Sequence, residues 1–352
     1  MKPLLSIVVP VYNAEAFVSK TIENLIKEDL DKEIILVNDG STDNSLKVLT
    51  SYANKYHYIK VINQKNKGVS AARNAGINAA NGKYIYFIDC DDQIDSGSLQ
   101  RAINYFHIYK NIELVSFSYK HIGADGNNYG SIKYLPTNFY SITEWSNDIE
   151  SLIKSYIISN TGTSIRKLAI IKKYNIRFNE TLNIYEDLIF GFDYLFYVNN
   201  LFYINESLHS YIHINPNSLY HNYQPTKVLA IPKLIYSIEK FFFKNNPNKT
   251  THTYIYTYTQ MLFYSAVKNE AEHLSFFSTT AKENLNILAN SSYLEYCNKK
   301  NSILPKSYYY CLANHYYTLL MIIAGIRPRT KKLLWNTIYP IGKFIKRNIL
   351  RI

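Results

Sequence analysis

Four short, mostly apolar runs open the chain, at residues 4–9, 33–37, 58–62 and 84–88. A strand with one wet face alternates apolar and polar residues. Runs rich in Ile and Val without alternation belong to strands covered on both faces. Between them, residues 15–28, 43–56 and 70–80 carry apolar residues at helical spacing, as with Phe17, Val18, Ile22, Leu25 and Ile26. Strand and helix repeating with short connections predict a mostly parallel, Rossmann-like α/β sheet with right-handed crossovers. Ligands of such sheets sit beyond the carboxyl ends of the strands.

Each of those ends is polar. The first run leads to Pro10-Val11-Tyr12-Asn13-Ala14-Glu15 and the second to Asn38-Asp39-Gly40-Ser41-Thr42-Asp43. The third leads to Asn66-Lys67-Gly68-Val69-Ser70-Ala71-Ala72-Arg73-Asn74 and the fourth to Asp89-Cys90-Asp91-Asp92. The topology brings all four to one edge. Three carboxylates in four residues repel one another unless a cation sits among them, and hard oxygen ligands suit Mg²⁺ or Mn²⁺. In isolation such a run is more often a solvated acidic turn; after a buried strand in this layout, the metal reading is preferred. Thr42 or Asp43 suits the cap of the following helix, which leaves Asp39 for a ligand, such as the imide N–H of a uracil ring. No GxGxxG occupies the first turn, and residues 76–84 miss the P-loop spacing and its Ser/Thr.

Further along, residues 111–118 read as a strand, 123–128 as a turn-rich loop and 186–198 as a helix. After Pro225 the pattern is helical and aromatic up to residue 326. With 352 residues, 47% hydrophobic and 19% charged, the chain has globular composition and length for about two domains. Three scattered cysteines, Cys90, Cys297 and Cys311, make neither a disulfide framework nor a zinc site, which fits a reducing, cytoplasmic setting. No secretory leader is read at the start, and no apolar run reaches the ~18–20 residues a spanning helix needs. The formal net charge is +12, and eight Lys/Arg with no acid fall in residues 327–352, interleaved with Leu, Ile, Phe, Trp and Tyr. That mixture suits a helix lying in an anionic membrane interface, or alternatively one docked on the protein's own aromatic region. It does not suit nucleic acid, whose binding surfaces spread their basic residues over a polar face.

The motifs around Tyr12, Asp39 and Arg73, with Phe87-Ile88-Asp89-Cys90-Asp91-Asp92 as a DxD motif, resemble the family 2 glycosyltransferases of GT-A fold. The resemblance covers about residues 4–100 and extends more weakly to about 220 through Arg166-Lys167, Ile176-Arg177-Phe178 and Glu186-Asp187-Leu188. It implies a catalytic domain over 1–220, with a nucleotide-sugar half to about 100 and an acceptor half beyond, then a helical region at 221–326 and the basic tail at 327–352. It also implies roles for single residues. Pro10, Tyr12, Glu15 and Asp39 would line base and ribose, and Arg73 the diphosphate or the acidic loop. Asp91 would be the chief metal-linked carboxylate, with Asp89 as a further metal ligand, while Asp89 and Asp92 would contact sugar, ribose or metal. Asp187 would be the catalytic base, oriented by Glu186. His213 stands where a basic residue is frequent and would meet the leaving diphosphate, although a lone loop histidine is more often structural. Thr161-Gly162-Thr163-Ser164 departs from the family's Trp-Asn-Lys-like stretch, and the QxxRW motif of processive synthases is missing.

The implied function is inverting, metal-dependent transfer of one sugar from a UDP-sugar to a glycan or lipid-linked acceptor of a surface polysaccharide such as lipopolysaccharide or capsule. The site would be the cytoplasmic face of the membrane. Transfer to polyprenyl phosphate and a non-catalytic sugar-nucleotide- or glycan-binding subunit are the alternatives.

Overall fold

The computed structural model describes residues 2–123, 125–155, 157–213, 223–245, 248–275, 278–298 and 304–325. The basic tail at 327–352 lies outside the described residues. The chain divides into two compact units, one of residues 1–218 and 237–247, the other of 219–236 and 248–352.

The first unit opens with β1 (Leu5–Val11), α1 (Val18–Ile26), β2 (Lys32–Asp39), α2 (Ser45–Lys55), β3 (Ile59–Gln64), α3 (Val69–Ala79) and β4 (Tyr84–Phe87). All residues of β1 and β4 are buried, as their unalternated sequence predicts. These four strands pair in parallel in the order β3-β2-β1-β4, so their carboxyl ends share one edge. The helix α3 crosses β1 closely: a Cβ on Gly76 would stand 2.2 Å from a Val8 methyl. Only glycine permits that approach, and it brings α3, with Arg73 one turn earlier, down onto the sheet.

The unit continues through β5 (Gln93–Ile94), α4 (Ser98–Ile108), β6 (Leu114–Gly123), β7 (Asn128–Ile132), β8 (Asn138–Ser141), α5 (Ile142–Trp145) and α6 (Ile149–Lys154). It goes on through β9 (Ser164–Lys167), α7 (Leu168–Lys173), α8 (Glu186–Leu195) and β10 (Asn200–His213). The sheet extends past β4 as β9-β6-β10-β5, with β7 on β6 and β8 on β10. The strand β9 runs antiparallel to both β4 and β6, whereas β10 runs parallel to β6. The sheet is therefore mixed beyond β4. Glu28, 1% exposed, holds the start of α4 by accepting N–H bonds from Gly97, Leu99 and Gln100. Under α8 the rings of Phe178 and Phe190 stack at 3.9 Å, and Phe87 meets both edge-on. That packing fixes the first turn of α8 relative to β4.

In the second unit, α10 (Lys249–His273), α11 (Thr279–Ala289), α12 (Lys306–Ala313) and α13 (Tyr317–Gly325) pack together; α9 (Lys227–Asn245) has residues in both units. The aromatics expected after Pro225 are partly interior, with Tyr308 1% exposed and stacked on Tyr264. Glu270 is buried here and satisfied by Tyr223, Asn284 and Asn269. No described helix is long and apolar enough to cross a membrane. The three cysteines are unpaired.

Candidate functional site

The turns after β1 and β2 are laced together. The Asn13 amide donates to Ser41 Oγ (3.0 Å) and its side-chain oxygen accepts from the Thr42 amide (2.8 Å). The Ala14 amide donates to Ser45 Oγ, the Glu15 amide to Asp43 Oδ2 and the Asn44 amide to Glu15 Oε2. Asp43 also accepts from the Ser45 amide, just before α2, whose N-cap position is Asn44 and not the expected Thr42 or Asp43. Asn13 takes a left-handed φ of 48°, a conformation asparagine tolerates. Pro10 is buried within β1, and Tyr12 stands 49% exposed beside it.

Asp39 differs from expectation. It is 3% exposed, and its oxygens accept from the Lys67 amide (2.9 Å), the Gly68 amide (2.8 Å) and Gln64 Nε2 (2.7 Å). A carboxylate offers about four acceptor sites, so most of this one is committed to shaping the turn before α3. Asp39 is thus engaged by three of the protein's own donors, whichever residue caps α2.

The acidic run after β4 is not a uniform cluster. The side chain of Asp89 is 40% exposed and accepts from Arg73 Nη2 at 2.8 Å. Burial, with Asp92 and Asp89 beside it, pushes the Asp91 carboxyl up to about 7. Asp92 turns inward and is 2% exposed, with Oδ2 2.9 Å from His209 Nε2 and Oδ1 accepting the Ile212 amide. Both of its oxygens are thus engaged inside the protein.

Arg73 connects this loop to α8. Its side chain is 6% exposed, bonded to Asp89 and 3.5 Å from Glu186 Oε1, with its guanidinium over the Phe178 ring. Burial opposes its charge, but Asp89, Glu186 and Asp187 together hold its pKa above the ordinary value. Glu186 and Asp187 form the first turn of α8, where the helix dipole favours negative charge. The residue before them, Tyr185, adopts a left-handed φ of 62°, an outlier for a bulky side chain. Burial and the neighbouring Glu186 nonetheless push Asp187 up to about 7, against the pull of Arg73. Its one described hydrogen bond is from the Leu188 amide.

Two residues near this cluster escaped the sequence reading. His209 is completely buried against Asp92. Tyr211, 37% exposed, pairs in register with His121 of β6 at a ring distance of 5.8 Å. Burial, with the charges of the acidic loop and Asp187, pushes its hydroxyl up to about 12. The backbone of His213 ends β10, while its side chain lies outside the described residues.

A divalent metal at this edge would meet Asp89 and Asp91. Among the described residues no three His, Cys, Asp or Glu side chains are gathered to hold one. Mg²⁺ and Mn²⁺ commonly take one or two carboxylates, complete their shell with water and substrate phosphates, and relieve just such crowding as raises Asp91. The donor set thus fits a metal shared with a diphosphate.

Comparison with known proteins agrees with this architecture. Residues 6–177 match the family "Glycosyl transferase family 2". The chain is 32% identical over 220 residues to the uncharacterized glycosyltransferase EpsJ of Bacillus subtilis, covering 62% of this chain and 63% of that protein. It is 34% identical over 188 residues to the minor teichoic acid biosynthesis protein GgaB of the same organism, covering 52% of this chain and 20% of that one. The chain thus spans less than two thirds of either relative. Residues 1–349 of TarS from S. aureus, solved in complex with UDP-GlcNAc, share the fold with a TM-score of 0.68 at 18% identity, over 92% of this chain and 90% of that one. The carboxylates of the acidic loop and Arg73, at the carboxyl ends of a GT-A sheet, lie within the segment, residues 6–177, that matches the family 2 glycosyltransferases.

Proposed function

We propose that this chain transfers one sugar from a UDP-sugar to a hydroxyl of a glycan or lipid-linked acceptor in the synthesis of a cell-surface polymer, inverting the anomeric centre. One observation carries the reading: Arg73 joins Asp89 of the acidic loop to Glu186, beside Asp187, whose carboxyl lies at about 7. A charged donor site and a base poised near neutrality thereby occupy one place. A relative named for minor teichoic acid biosynthesis supports the polymer class, and the UDP-GlcNAc complex of TarS supports a uridine donor.

In this reading Asp187 accepts the proton of the acceptor hydroxyl as its oxygen attacks the anomeric carbon. The new glycosidic bond forms on one face while the bond to the diphosphate breaks on the other, and the leaving oxygen takes the electron pair. Proton transfer to a positioned base contributes about 10²–10⁴-fold, most effectively when its pKa lies near the working pH. Glu186 and Arg73 orient the start of α8. Pro10, Tyr12 and the turn shaped by Asp39 face the base and ribose, and Tyr211 flanks the sugar side. Asp89 and Asp91 would hold a Mn²⁺ or Mg²⁺, which supplies Lewis-acid neutralisation of the departing diphosphate. The basic residues of 327–352 would bring the enzyme to an anionic membrane surface on the cytoplasmic side, where a lipid-linked acceptor is presented.

Thermal unfolding with UDP, GDP, dTDP and CDP, each with and without Mn²⁺, tests the donor assignment. Saturation at about 100 times the dissociation constant adds about 2.7 kcal/mol of stability. A shift with UDP that needs Mn²⁺ is the expected result; no shift with any nucleotide would overturn it.

A further inference from the structure

The inward turn of Asp92 belongs to a chain of contacts that crosses the sheet. Asp92 Oδ2 lies 2.9 Å from His209 Nε2, and His209 Nδ1 lies 3.1 Å from the Tyr86 hydroxyl. That hydroxyl in turn donates to the Gly162 carbonyl at 3.0 Å. His209 is wholly buried, and so is Tyr86. The ring has no room to move toward residue 162, where a Cβ would fall 2.4 Å from His209 Cε1.

Counting hydrogens gives the chain a direction. A carbonyl only accepts, so the single Tyr86 hydrogen goes to Gly162, and the Tyr86 oxygen accepts from His209 Nδ1–H. With Nδ1 the donor on that side, the contact between Nε2 and Asp92 contains one proton, whichever atom carries it. The pair is therefore neutral as a whole. Asp92 Oδ1 remains to accept the Ile212 amide at 3.1 Å. From the other side Thr21 Oγ1 holds the carbonyls of Cys90 and Asp92.

We propose that His209 and Asp92 are positioning residues that clamp the acidic loop to β10, so that of the three acids Asp92 supplies geometry and Asp89 and Asp91 are left to face the donor. The proposal rests on the donor-site reading of Asp89 and Asp91. Asparagine is the discriminating replacement at Asp92: its oxygen accepts from Ile212 and its amide donates to Nε2, which preserves both contacts without the carboxylate.

The test is amide hydrogen exchange over residues 88–95 and 208–213 of the full chain, for His209→Leu, Asp92→Ala and Asp92→Asn. Loss of a buried, charge-assisted bond should speed exchange about ten- to a hundredfold in the leucine and alanine variants. Asp92→Asn should stay within about threefold of wild type. If His209→Leu does not fold, the two Asp92 variants decide alone. Unchanged protection in Asp92→Ala, or an asparagine variant as exposed as alanine, overturns the proposal. In parallel, UDP with Mn²⁺ should bind about tenfold more weakly to Asp92→Ala, and asparagine should restore it. A wild type that binds no UDP sinks the donor reading instead, and exchange still judges the clamp.

Discussion

The turns after β1 and β2 and the segment joining the acidic loop to α8 lie at the same end of one sheet, and both are rich in carboxylates. They use them in opposite ways. In the first region Glu15, Asp39 and Asp43 spend their oxygens on backbone amides, and Asp43 is held below its ordinary value by the Ser45 and Glu15 bonds despite some burial. In the second, Asp91 and Asp187 are half-buried beside like charges with few donors, and both are pushed up to about 7. A carboxylate satisfied by amides builds the wall of a site. One left dissatisfied is available to a proton, a metal or a substrate, and its cost to the fold is the mark of that availability.

Removing the base should have the largest effect. Asp187→Asn is expected to lower kcat about 10²–10⁴-fold, measured as UDP release with a hydroxyl acceptor. An unaffected rate would move the reaction to an acceptor with no proton to lose, such as a polyprenyl phosphate. The same variant should be more stable than wild type at pH 8. The Asp187 carboxyl is raised on folding, so as pH climbs from about 4 to 7 the unfolded chain releases a proton that the folded chain keeps, and wild-type stability falls across that window. Asparagine escapes this loss. A variant that loses activity and also stability at pH 8 would show that Asp187 belongs with the wall.

The pH profile sharpens the comparison further. As the proposed base Asp187 would act only when ionised, so kcat/KM should rise about tenfold per pH unit below 7 and level above it. In Asp187→Asn the residual rate should lose that limb. A limb unchanged by the substitution would assign the titration to another group.

The contrast also explains what was legible in the sequence. Buried parallel strands announce themselves through unbroken Ile and Val runs, and the polar clusters at their ends follow from parallel pairing alone. The state of each carboxylate does not. Asp89, Asp91 and Asp92 are equivalent as letters, and what separates them is His209, 117 positions from Asp92. Asp39 looked available because its donors come from the turn before α3, 28 and 29 residues on. The strand β10 carries Asn205, Glu206 and Ser207, where its pairing with β6 shifts register, and this polar interruption hid the strand that holds both His209 and Tyr211. In α10 the Met261 side chain is 48% exposed while Phe263 is buried, so composition there says helix and aromatic packing without pointing to chemistry.

On the wall side, smaller effects on stability are expected. Asp39→Ala leaves the Lys67 and Gly68 amides and the Gln64 side chain without their acceptor, so unfolding free energy should fall by about 1–3 kcal/mol in a denaturant titration. The pH dependence of kcat/KM should keep its midpoint near 7, because the proposed base is untouched. A displaced midpoint with intact stability would place Asp39 among the dissatisfied carboxylates.

Glu15→Gln should have the smallest effect. Glu15 is exposed and its Oε2 accepts the Asn44 amide, a task that glutamine's carbonyl oxygen performs as well. The charge itself lies in solvent, where an isolated surface carboxylate contributes at most about 1 kcal/mol. Stability should therefore change by less than that, and the affinity for UDP with Mn²⁺ by less than about fivefold. A much larger loss of UDP affinity at unchanged stability would mean that the Glu15 carboxylate reaches the nucleotide directly. The turn between β1 and α1 would then serve the substrate as well as the fold, and the division between wall and chemistry would run through Glu15.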